Sequence, residues 1–258
     1  MTTVDVLLPV RAPAPWLHLT LAGLAAQSYP DWRLLVVVHG DDNGIAELVR
    51  DSGVPAEILY APPTMTLPEV LNLGIGHSSA EYLARLDADD IPLPDRLAVQ
   101  VRFLQDHPDC VAVGSSVELI DEDGTFLGLR EPPPTQAKVL SALRWKTPIV
   151  HPSMLFRREP IAQLGGYSTL AEHTEDYDLW LRAATLGWLC ALPQPLTQYR
   201  IHAGQVSSTK AISKEASDRV LQSRIALARA RHESVLLARA RHIAWNARQA
   251  RRRARLSS

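Results

Sequence analysis

Short apolar runs alternate with amphipathic stretches through the first 90 residues of the chain. Runs of this length, rich in Val and Leu, are typical of buried strands. Four such runs occur in this region: VDVLLPV (4–10), RLLVVV (33–38), AEILYA (56–61) and EYLARL (81–86). Helical patterns separate them, at about 14–27, up to about Asp51 and at about 67–75. Strands that alternate with helices in this way predict an α/β fold with a parallel sheet and helices on both faces.

The second half of the chain is less regular. Its clearest element is an amphipathic helix over 175–187, with Leu179, Ala183 and Leu186 on an apolar face and Asp178 on a solvated one. The remaining pattern predicts, in chain order, a strand–turn–strand unit over 111–128, a strand running into a helix over 151–158, and two short strands within 188–202.

The composition changes after Lys210. The sequence LARARH occurs at 227–232 and again at 237–242, within a helical segment rich in Ala and Arg. Ten residues are close to three helical turns, so the two copies are expected to present the same face. We therefore divide the chain into a body over 1–210, with halves of about 1–110 and 111–210, and a helical tail over 211–258.

Charge is distributed unevenly between these two parts. The tail has 12 Lys and Arg against 3 Asp and Glu, whereas the body has 15 against 25, and the net charge of the chain is −1. An acidic body with a basic tail indicates that the two parts meet different partners.

Composition also bounds the class and compartment of the protein. The chain has 258 residues, of which 46% are apolar, and it has no run approaching the roughly 20 apolar residues of a membrane span. The first residues lack the layout of a signal peptide. Cys110 and Cys190 are far apart in the sequence, without metal or redox spacing, and we expect two buried free thiols of a cytoplasmic protein.

The fourth strand ends in an acidic cluster, Asp87-Ala88-Asp89-Asp90. Ligands of parallel sheets bind beyond the C-terminal strand ends, where Arg11 and the segment 39–42 are also expected. A helix start would explain Asp90, but one cap needs one side chain and leaves Asp87 and Asp89 unexplained. The alternative is a hard divalent cation, Mg²⁺ or Mn²⁺, that completes its shell with water and a substrate diphosphate.

Eight segments, in order, resemble a family 2 glycosyltransferase with the GT-A fold over roughly residues 3–208. They are VDVLLPV, LNLGI, AEYLARLDADDIPLPDRLAVQ, VGSSVELIDEDG, HPSMLFRR, GGY, EDYDLWLRAATLG and YRIHAGQVS. The resemblance implies a mixed, mostly parallel central sheet flanked by helices, followed here by a C-terminal helical extension. It also implies an enzyme that transfers a sugar from a nucleoside diphosphate donor.

The resemblance assigns roles to the acidic cluster and to several strand ends. Asp89 is expected to bind the divalent cation that bridges the two phosphates, with His202 either completing the metal shell or remaining an ordinary loop histidine. The donor nucleotide is expected to contact Pro9, Arg11, His39, Asp41, Asn72, Asp87 and Ala88. A cation in this place would stabilise the charge of the departing diphosphate.

The resemblance assigns the catalytic base to Asp176, in the segment TEDYDLW. Asp176 would take the proton of an acceptor hydroxyl that attacks from the far side, with inversion at the anomeric carbon. Glu175 and His151 are expected on the acceptor or phosphate side. Adjacent carboxylates raise each other's pKa, which favours a general base. The alternative is that both carboxylates only complement the helix dipole.

One departure from the family pattern concerns the nucleotide base. The family usually has an Asp-Asp pair at the end of strand two, where this chain has Val38-His39-Gly40 and acidic residues only at Asp41 and Asp42. Leu71 also stands where many relatives have Arg. The usual assumption of a UDP donor is therefore open.

The tail has three interpretations. It is a helix packed on the body with a solvated Arg face, a surface that rests on an anionic membrane, or a contact for a protein partner. Nucleic acid is disfavoured because no recognition motif accompanies the charge. The membrane interpretation would place the enzyme in the cytoplasm, peripherally on the inner face of the membrane.

The function that the sequence predicts is an inverting, metal-dependent glycosyltransferase acting on a hydroxyl of a glycan or lipid-linked saccharide, in cell-surface polysaccharide assembly. Two alternatives remain. A nucleotidyltransferase should have a glycine-rich basic loop after the first strand, but PVRAPAPW has one Arg and no Gly. A catalytically inactive scaffold that binds sugar nucleotides would be consistent with the altered position of His39.

Overall fold

A computed structural model describes residues 3–205 and 212–256 of the chain, and only the backbone over 252–256. The strands are β1 Val4–Val10, β2 Trp32–His39, β3 Ala56–Ala61, β4 Tyr82–Arg85, β5 Ile91–Pro92, β6 Cys110–Ile120, β7 Phe126–Arg130, β8 Leu155–Arg157 and β9 Trp188–Arg200. The helices are α1 Leu17–Ala25, α2 Ile45–Asp51, α3 Leu67–His77, α4 Arg96–Asp106, α5 Gln136–Leu143, α6 Arg158–Gln163, α7 Glu175–Ala183, α8 Lys214–Ala230 and α9 Val235–Leu256.

The first half forms the predicted parallel sheet, with strand order β3–β2–β1–β4. In its register Val10 lies beside Val38, and Leu7 lies beside Arg85. The C-terminal ends of β1, β2 and β4 therefore meet at one sheet edge, as the sequence predicts. All four runs expected to be strands are strands.

Side chains that alternate along β1 separate two layers of core. Val4, Val6 and Leu8 pack on one face in a cluster that includes residues of α1, α2 and α4. Leu7 points to the other face, into a cluster with residues of α3, α7, α8 and α9. Helices thus cover both faces of the sheet, and the C-terminal helices share a core with α7.

The second half extends the sheet in mixed orientation. β8 joins β4 and β6 antiparallel, and β6 pairs in parallel with β9. The prediction of two short strands within 188–202 is wrong, because β9 is continuous from Trp188 to Arg200 and absorbs its prolines through shifts in register against β6. The full sheet is mixed and mostly parallel, as expected.

The cysteines differ from the prediction in their pairing. Cys110 and Cys190 are buried, as expected, but they form a disulfide and are not free thiols. They lie at the start of β6 and on β9, which are neighbouring strands despite 80 residues of separation. Sequence spacing alone does not reveal this pairing, and the inference of a cytoplasmic location from free thiols loses its basis.

The tail contains two helices instead of one. α8 ends at Ala230, and a short turn with His232 at φ 54° separates it from α9. The two LARARH copies therefore lie largely on different helices, and the prediction of one shared face is wrong. The proposed boundary near residue 210 lies in 206–211, outside the described residues.

The tail packs on the body of the protein. Val220, Leu227 and Trp245 are buried in the core cluster of α7. Its arginines are not uniformly solvated, since Arg224 is buried and the Arg231 guanidinium lies 4.7 Å from the Trp188 ring centroid. This arrangement fits the interpretation of a packed helix, with a smaller solvated Arg face than expected.

Gly114 of β6 lies against Ile149 and Met154, in the segment before β8, and this close contact leads to a first prediction. A Cβ added at Gly114 would lie 2.7 Å from Met154 Sδ and would also overlap Ile149. Gly114→Ala should destabilise the protein by about 1–3 kcal/mol through overpacking, measured by urea unfolding. Gly76→Ala is the matched control, because nothing lies within 4 Å of its Cβ in α3. An unchanged unfolding midpoint for Gly114→Ala would contradict this packing.

Candidate active site

The acidic cluster lies at the edge where the parallel strands end. One carboxylate oxygen from each of Asp87, Asp89 and Asp90 lies within 4.8 Å of the others. Asp90 is fully buried, and its Oδ1 accepts a hydrogen bond from the backbone N–H of Arg200 at 2.9 Å. Asp95, not Asp90, occupies the N-cap position of α4. The helix-start explanation therefore fails for Asp90.

The electrostatics of this cluster suit a divalent cation. Burial, followed by the charge of Asp87, raises the pKa of Asp89 above its ordinary value, and the same two causes hold the pKa of Asp90 well above it. Asp90 Oδ2 is buried and has no hydrogen-bond partner among the described residues. Close, desolvated oxygen ligands of this kind favour Mg²⁺ or Mn²⁺, which would relieve their repulsion.

His202 comes to the same place from the end of β9. Its Nε2 lies 2.8 Å from Asp89 Oδ2, and Trp16 packs beside the ring at 4.8 Å between centroids. The N–H of Gly204 donates to His202 Nδ1, which puts the imidazole proton on Nε2, toward Asp89. The structure thus brings together the two residues that the sequence assigns to a metal. Val206 and Ser207 of the same motif lie outside the described residues.

Arg85, the last residue of β4, is a candidate site residue that was not predicted from the sequence. It is 2% exposed, and its Nη2 donates to Asp87 Oδ1 at 2.5 Å. Its charge also acts on Glu175 and Asp176, whose pKa values it lowers. One buried cation therefore pairs with the acidic cluster and also acts electrostatically on the carboxylates of α7. The signal in the sequence is an arginine within the otherwise apolar run EYLARL.

Glu175 and Asp176 open the first turn of α7. Burial, followed by the charge of Asp176, raises the pKa of Glu175 to about 7. Burial also raises the pKa of Asp176, although the N–H of Tyr177 donates to its Oδ1 at 2.6 Å and opposes the shift. The Glu175 Oε2 is buried without a hydrogen-bond partner in the described part of the chain. A carboxyl group with a pKa of about 7 can take up or release a proton near neutral pH. The helix dipole favours the charged carboxylate, so it does not explain the raised pKa values.

His151 packs beside Tyr167 and Trp180 and cannot supply positive charge. Its Nε2 is 2.7 Å from the Tyr167 hydroxyl, and burial together with the Arg85 charge holds its pKa well below the ordinary value. A neutral imidazole does not neutralise phosphate, so the phosphate side of the prediction for His151 is not supported.

Asn72 has a different role from the predicted nucleotide contact. Its Nδ2 donates to the Tyr167 carbonyl at 2.7 Å, and its Oδ1 accepts from the Tyr167 N–H at 2.8 Å. Gly166, at φ 68°, lies so close that a Cβ there would overlap the Asn72 amide. Asn72 therefore holds the Gly-Gly-Tyr loop against α3.

The predicted contacts to the nucleotide lie along the strand ends. Pro9 is in β1, and Arg11 is exposed just beyond that strand. The carbonyl of Ala88 accepts a hydrogen bond from Thr20 Oγ1 at 3.0 Å, which ties the acidic cluster to α1.

Asp41 and Asp42, which follow β2, have different surroundings. Asp42 accepts from the N–H of Ala46 at 2.7 Å and from the Tyr60 hydroxyl at 3.2 Å, so it serves the start of α2. Asp41 is exposed, and the Nε2 of His39 is buried without a hydrogen-bond partner among the described residues. His39 and Asp41 therefore have polar atoms available for a ligand.

No helix within 3–205 or 212–256 has both the length and the apolar character needed to cross a bilayer.

Sequence comparison identifies the class of protein. The family described as glycosyl transferase family 2 matches residues 5–165, which is more than half of the chain. The chain belongs to this family and is a glycosyltransferase. The match decides against a nucleotidyltransferase.

Curated relatives extend this similarity. The chain is 27% identical over 208 residues to the O-antigen biosynthesis glycosyltransferase WbnJ of Escherichia coli, covering 77% of this chain and 80% of WbnJ. It is 31% identical over 158 residues to the amylovoran biosynthesis glycosyltransferase AmsE of Erwinia amylovora, covering 61% of this chain and 59% of AmsE. An uncharacterized glycosyltransferase of Haemophilus influenzae matches at 25% identity, and there too the matched region spans less than two thirds of the relative, 62%.

Solved structures share the GT-A fold. S. aureus TarS in complex with UDP-GlcNAc superposes with a TM-score of 0.73 at 12% identity, over 94% of this chain and 71% of that chain. The mannosyltransferase PcManGT of Pyrobaculum calidifontis, in complex with GDP-Man and Mn²⁺, superposes with a TM-score of 0.60 at 21% identity, over 93% of this chain and 69% of that chain. At these identities the likeness defines the fold.

Proposed function

We propose that the protein is an inverting, metal-dependent glycosyltransferase that moves a sugar from a nucleoside diphosphate donor to a hydroxyl of a saccharide or lipid-linked saccharide, in cell-surface polysaccharide assembly. The names of WbnJ and AmsE, which refer to O-antigen and amylovoran biosynthesis, support the polysaccharide setting. The complexes of TarS with UDP-GlcNAc and of PcManGT with GDP-Man support a donor of this class.

One observation carries the proposal: the charge of the buried Arg85 acts on both sets of carboxylates that the reaction needs. It pairs with Asp87 of the acidic cluster and acts electrostatically on Glu175 and Asp176 of α7. Donor activation and acceptor deprotonation require groups on opposite sides of one sugar.

Each set has a separate task in this proposal. Asp89 would hold a divalent cation, Mn²⁺ or Mg²⁺, with Asp90 and His202 beside it, and the bound cation would stabilise negative charge on the departing diphosphate. Asp176 takes the proton of the acceptor hydroxyl as that oxygen attacks the anomeric carbon. Burial and the charge of Asp176 raise the pKa of the neighbouring Glu175 to about 7, so Glu175 can hold a proton near neutral pH.

The nucleotide base is assigned to the end of β2. His39 Nε2, buried and unpartnered among the described residues, and the exposed carboxylate of Asp41 are the candidate contacts for a base edge. Asp42 is already engaged by α2. Which base they select is best tested by thermal shift with UDP-GlcNAc and GDP-mannose.

The metal assignment predicts selective loss of cation binding. Asp89→Asn should weaken Mn²⁺ binding about 10-fold or more, because a charged ligand becomes a neutral one. Free Mn²⁺ measured by electron paramagnetic resonance provides the readout. Asp123→Asn, in the exposed β6–β7 turn, is the matched control and should bind as the wild type does. Equal Mn²⁺ affinity of Asp89→Asn and wild type would contradict the role of Asp89.

The paired carboxylates predict a characteristic pH profile. Since the pKa of Glu175 is about 7, kcat/KM should fall as pH drops below that value and the pair takes up its proton. Glu175→Gln removes the group with this pKa and should move the acidic limb to lower pH. Asp176→Asn should retain donor binding and lower kcat about 100-fold or more. An active Asp176→Asn together with an inactive Glu175→Gln would transfer the role of base to Glu175, and a wild type without turnover would indicate a scaffold.

The outer face of α9 favours a further proposal, contact with an anionic membrane surface on the cytoplasmic side. Its most exposed apolar side chains are Leu236, 79% exposed, and Ile243, 71% exposed. They lie along one helical stripe with exposed alanines at 240, 247 and 250. Arg239 and Arg251, both exposed, flank the stripe. An apolar stripe between arginines suits lipid headgroups and would bring the enzyme to a lipid-linked acceptor.

This surface predicts binding to charged vesicles. The double variant Leu236→Glu, Ile243→Glu should sediment at least about 10-fold less with phosphatidylglycerol vesicles, and added salt should weaken the binding of the wild type. Leu170→Glu is the matched control, since Leu170 is also exposed but lies outside the tail. Equal sedimentation of the double variant and wild type would reject the membrane contact.

A further inference from the structure

Asp178 is a buried carboxylate on the helix that bears the proposed base. The amphipathic pattern predicts a solvated position, but Asp178 is 0% exposed. Taking a carboxylate out of water is unfavourable unless it is paired and hydrogen-bonded. The partners of Asp178 therefore indicate what the chain gains from this arrangement.

Two of the three side-chain partners described below come from the tail. On α7 itself, Arg182 Nε donates to Asp178 Oδ2 at 2.8 Å. From α8, Ser223 Oγ donates to Asp178 Oδ1 at 2.5 Å, and Arg219 Nε forms an ion pair with the same oxygen at 3.0 Å. One carboxylate oxygen thus faces the body, and the other faces the tail.

Arg182 continues this network toward the cleft. It donates to the carbonyls of Leu164 and Gly166, at 3.0 Å and 2.8 Å. The backbone of the next residue, Tyr167, forms two hydrogen bonds with the Asn72 side chain, and its hydroxyl contacts His151. The network from α8 therefore ends on the wall of the proposed acceptor side.

A second contact from α8 holds the residue between Asp176 and Asp178. The Arg224 guanidinium lies 5.4 Å from the centroid of the Tyr177 ring and donates to the Arg144 carbonyl at 2.6 Å. The Tyr177 hydroxyl donates to the Leu143 carbonyl at 2.9 Å. Contacts from α8 and from the end of α5 therefore both hold Tyr177 in the first turn of α7.

Position matters more than stability for a general base. Asp176 and Asp178 are in the same helical turn, so a shift of one moves the other. A displacement of about 1 Å in a reacting group can cost about 100-fold in rate. A partner that only stabilised the fold could instead contact any part of α7.

We propose that Asp178, held by Arg219 and Ser223 of α8, positions Asp176, and that the C-terminal helices are therefore part of the catalytic unit. The proposal rests on the proposed role of Asp176 as base. Asp178 is a positioning residue, because it touches neither donor nor acceptor in this arrangement.

The test uses the full-length chain and substitutions in α8, far from the donor residues in sequence. Arg219→Met and Ser223→Ala remove one partner each, and Arg219→Lys keeps the charge. Asp218→Asn, the exposed neighbour of Arg219 on α8, is the matched control. Asp178→Asn is a further variant, and the milder α8 substitutions keep the test valid if Asp178→Asn fails to fold.

Two readouts separate positioning from stability. Amide hydrogen exchange, which needs no substrate, should increase over residues 174–178 and 164–167 in Arg219→Met and Ser223→Ala, while β1–β4 exchange as in the wild type. With the donor identified by the thermal-shift screen, kcat should fall about 10- to 100-fold with donor KM unchanged, well below the melting temperature. Arg219→Lys should recover most of this loss.

The result that overturns the proposal is a lower melting temperature without a change in kcat or in exchange over 174–178. Asp176→Asn distinguishes this failure from failure of the proposed function. If Asp176→Asn abolishes turnover while Arg219→Met retains it, only the positioning role is wrong. If Asp176→Asn is active, the role of base itself is wrong.

Discussion

The structure depends on placing several carboxylates close together at one sheet edge without letting their repulsion open it. Asp87, Asp89 and Asp90 end β4, and Glu175 and Asp176 begin α7. Arg85 is a buried positive charge that acts on both sets. Arg85 pairs with Asp87, yet the pKa values of Asp89 and Glu175 stay raised. The cleft therefore still favours added positive charge, which a bound cation would supply.

The sheet explains why these groups meet although they are about 90 residues apart in sequence. Parallel pairing aligns the ends of β1, β2 and β4 at one edge. The antiparallel β8 then joins β4 to β6, and α7 packs in one core cluster with Leu7 of β1. The local sequence supplies the carboxylates, whereas the pairing of distant strands brings them together in one cleft.

The difference between local sequence and long-range pairing determines which features could be predicted from the sequence. The strands β1 to β4 were predictable because each is a short apolar run bounded by turn residues, and Asp87–Asp90 was recognisable because it interrupts such a run. The disulfide, the continuous β9 and the burial of Asp178 depend on contacts between segments far apart, which periodicity does not encode. Arg85 was missed although an arginine in an apolar run was visible in the sequence, because its burial and its effect on α7 depend on the folded chain.

The tail shows why net charge is a poor guide to the role of a segment. Its excess of arginine suggests a single basic surface, but the arginines divide by helix face. Arg224 and Arg231 point inward, where they cover aromatic rings and bind backbone carbonyls at 2.6–3.2 Å. Arg239 and Arg251 point outward beside an apolar stripe. A guanidinium suits both settings because its flat face stacks on rings while its edge donates hydrogen bonds. The arginine-rich tail therefore packs against the body through its inward arginines, and its outward arginines leave a surface for a partner.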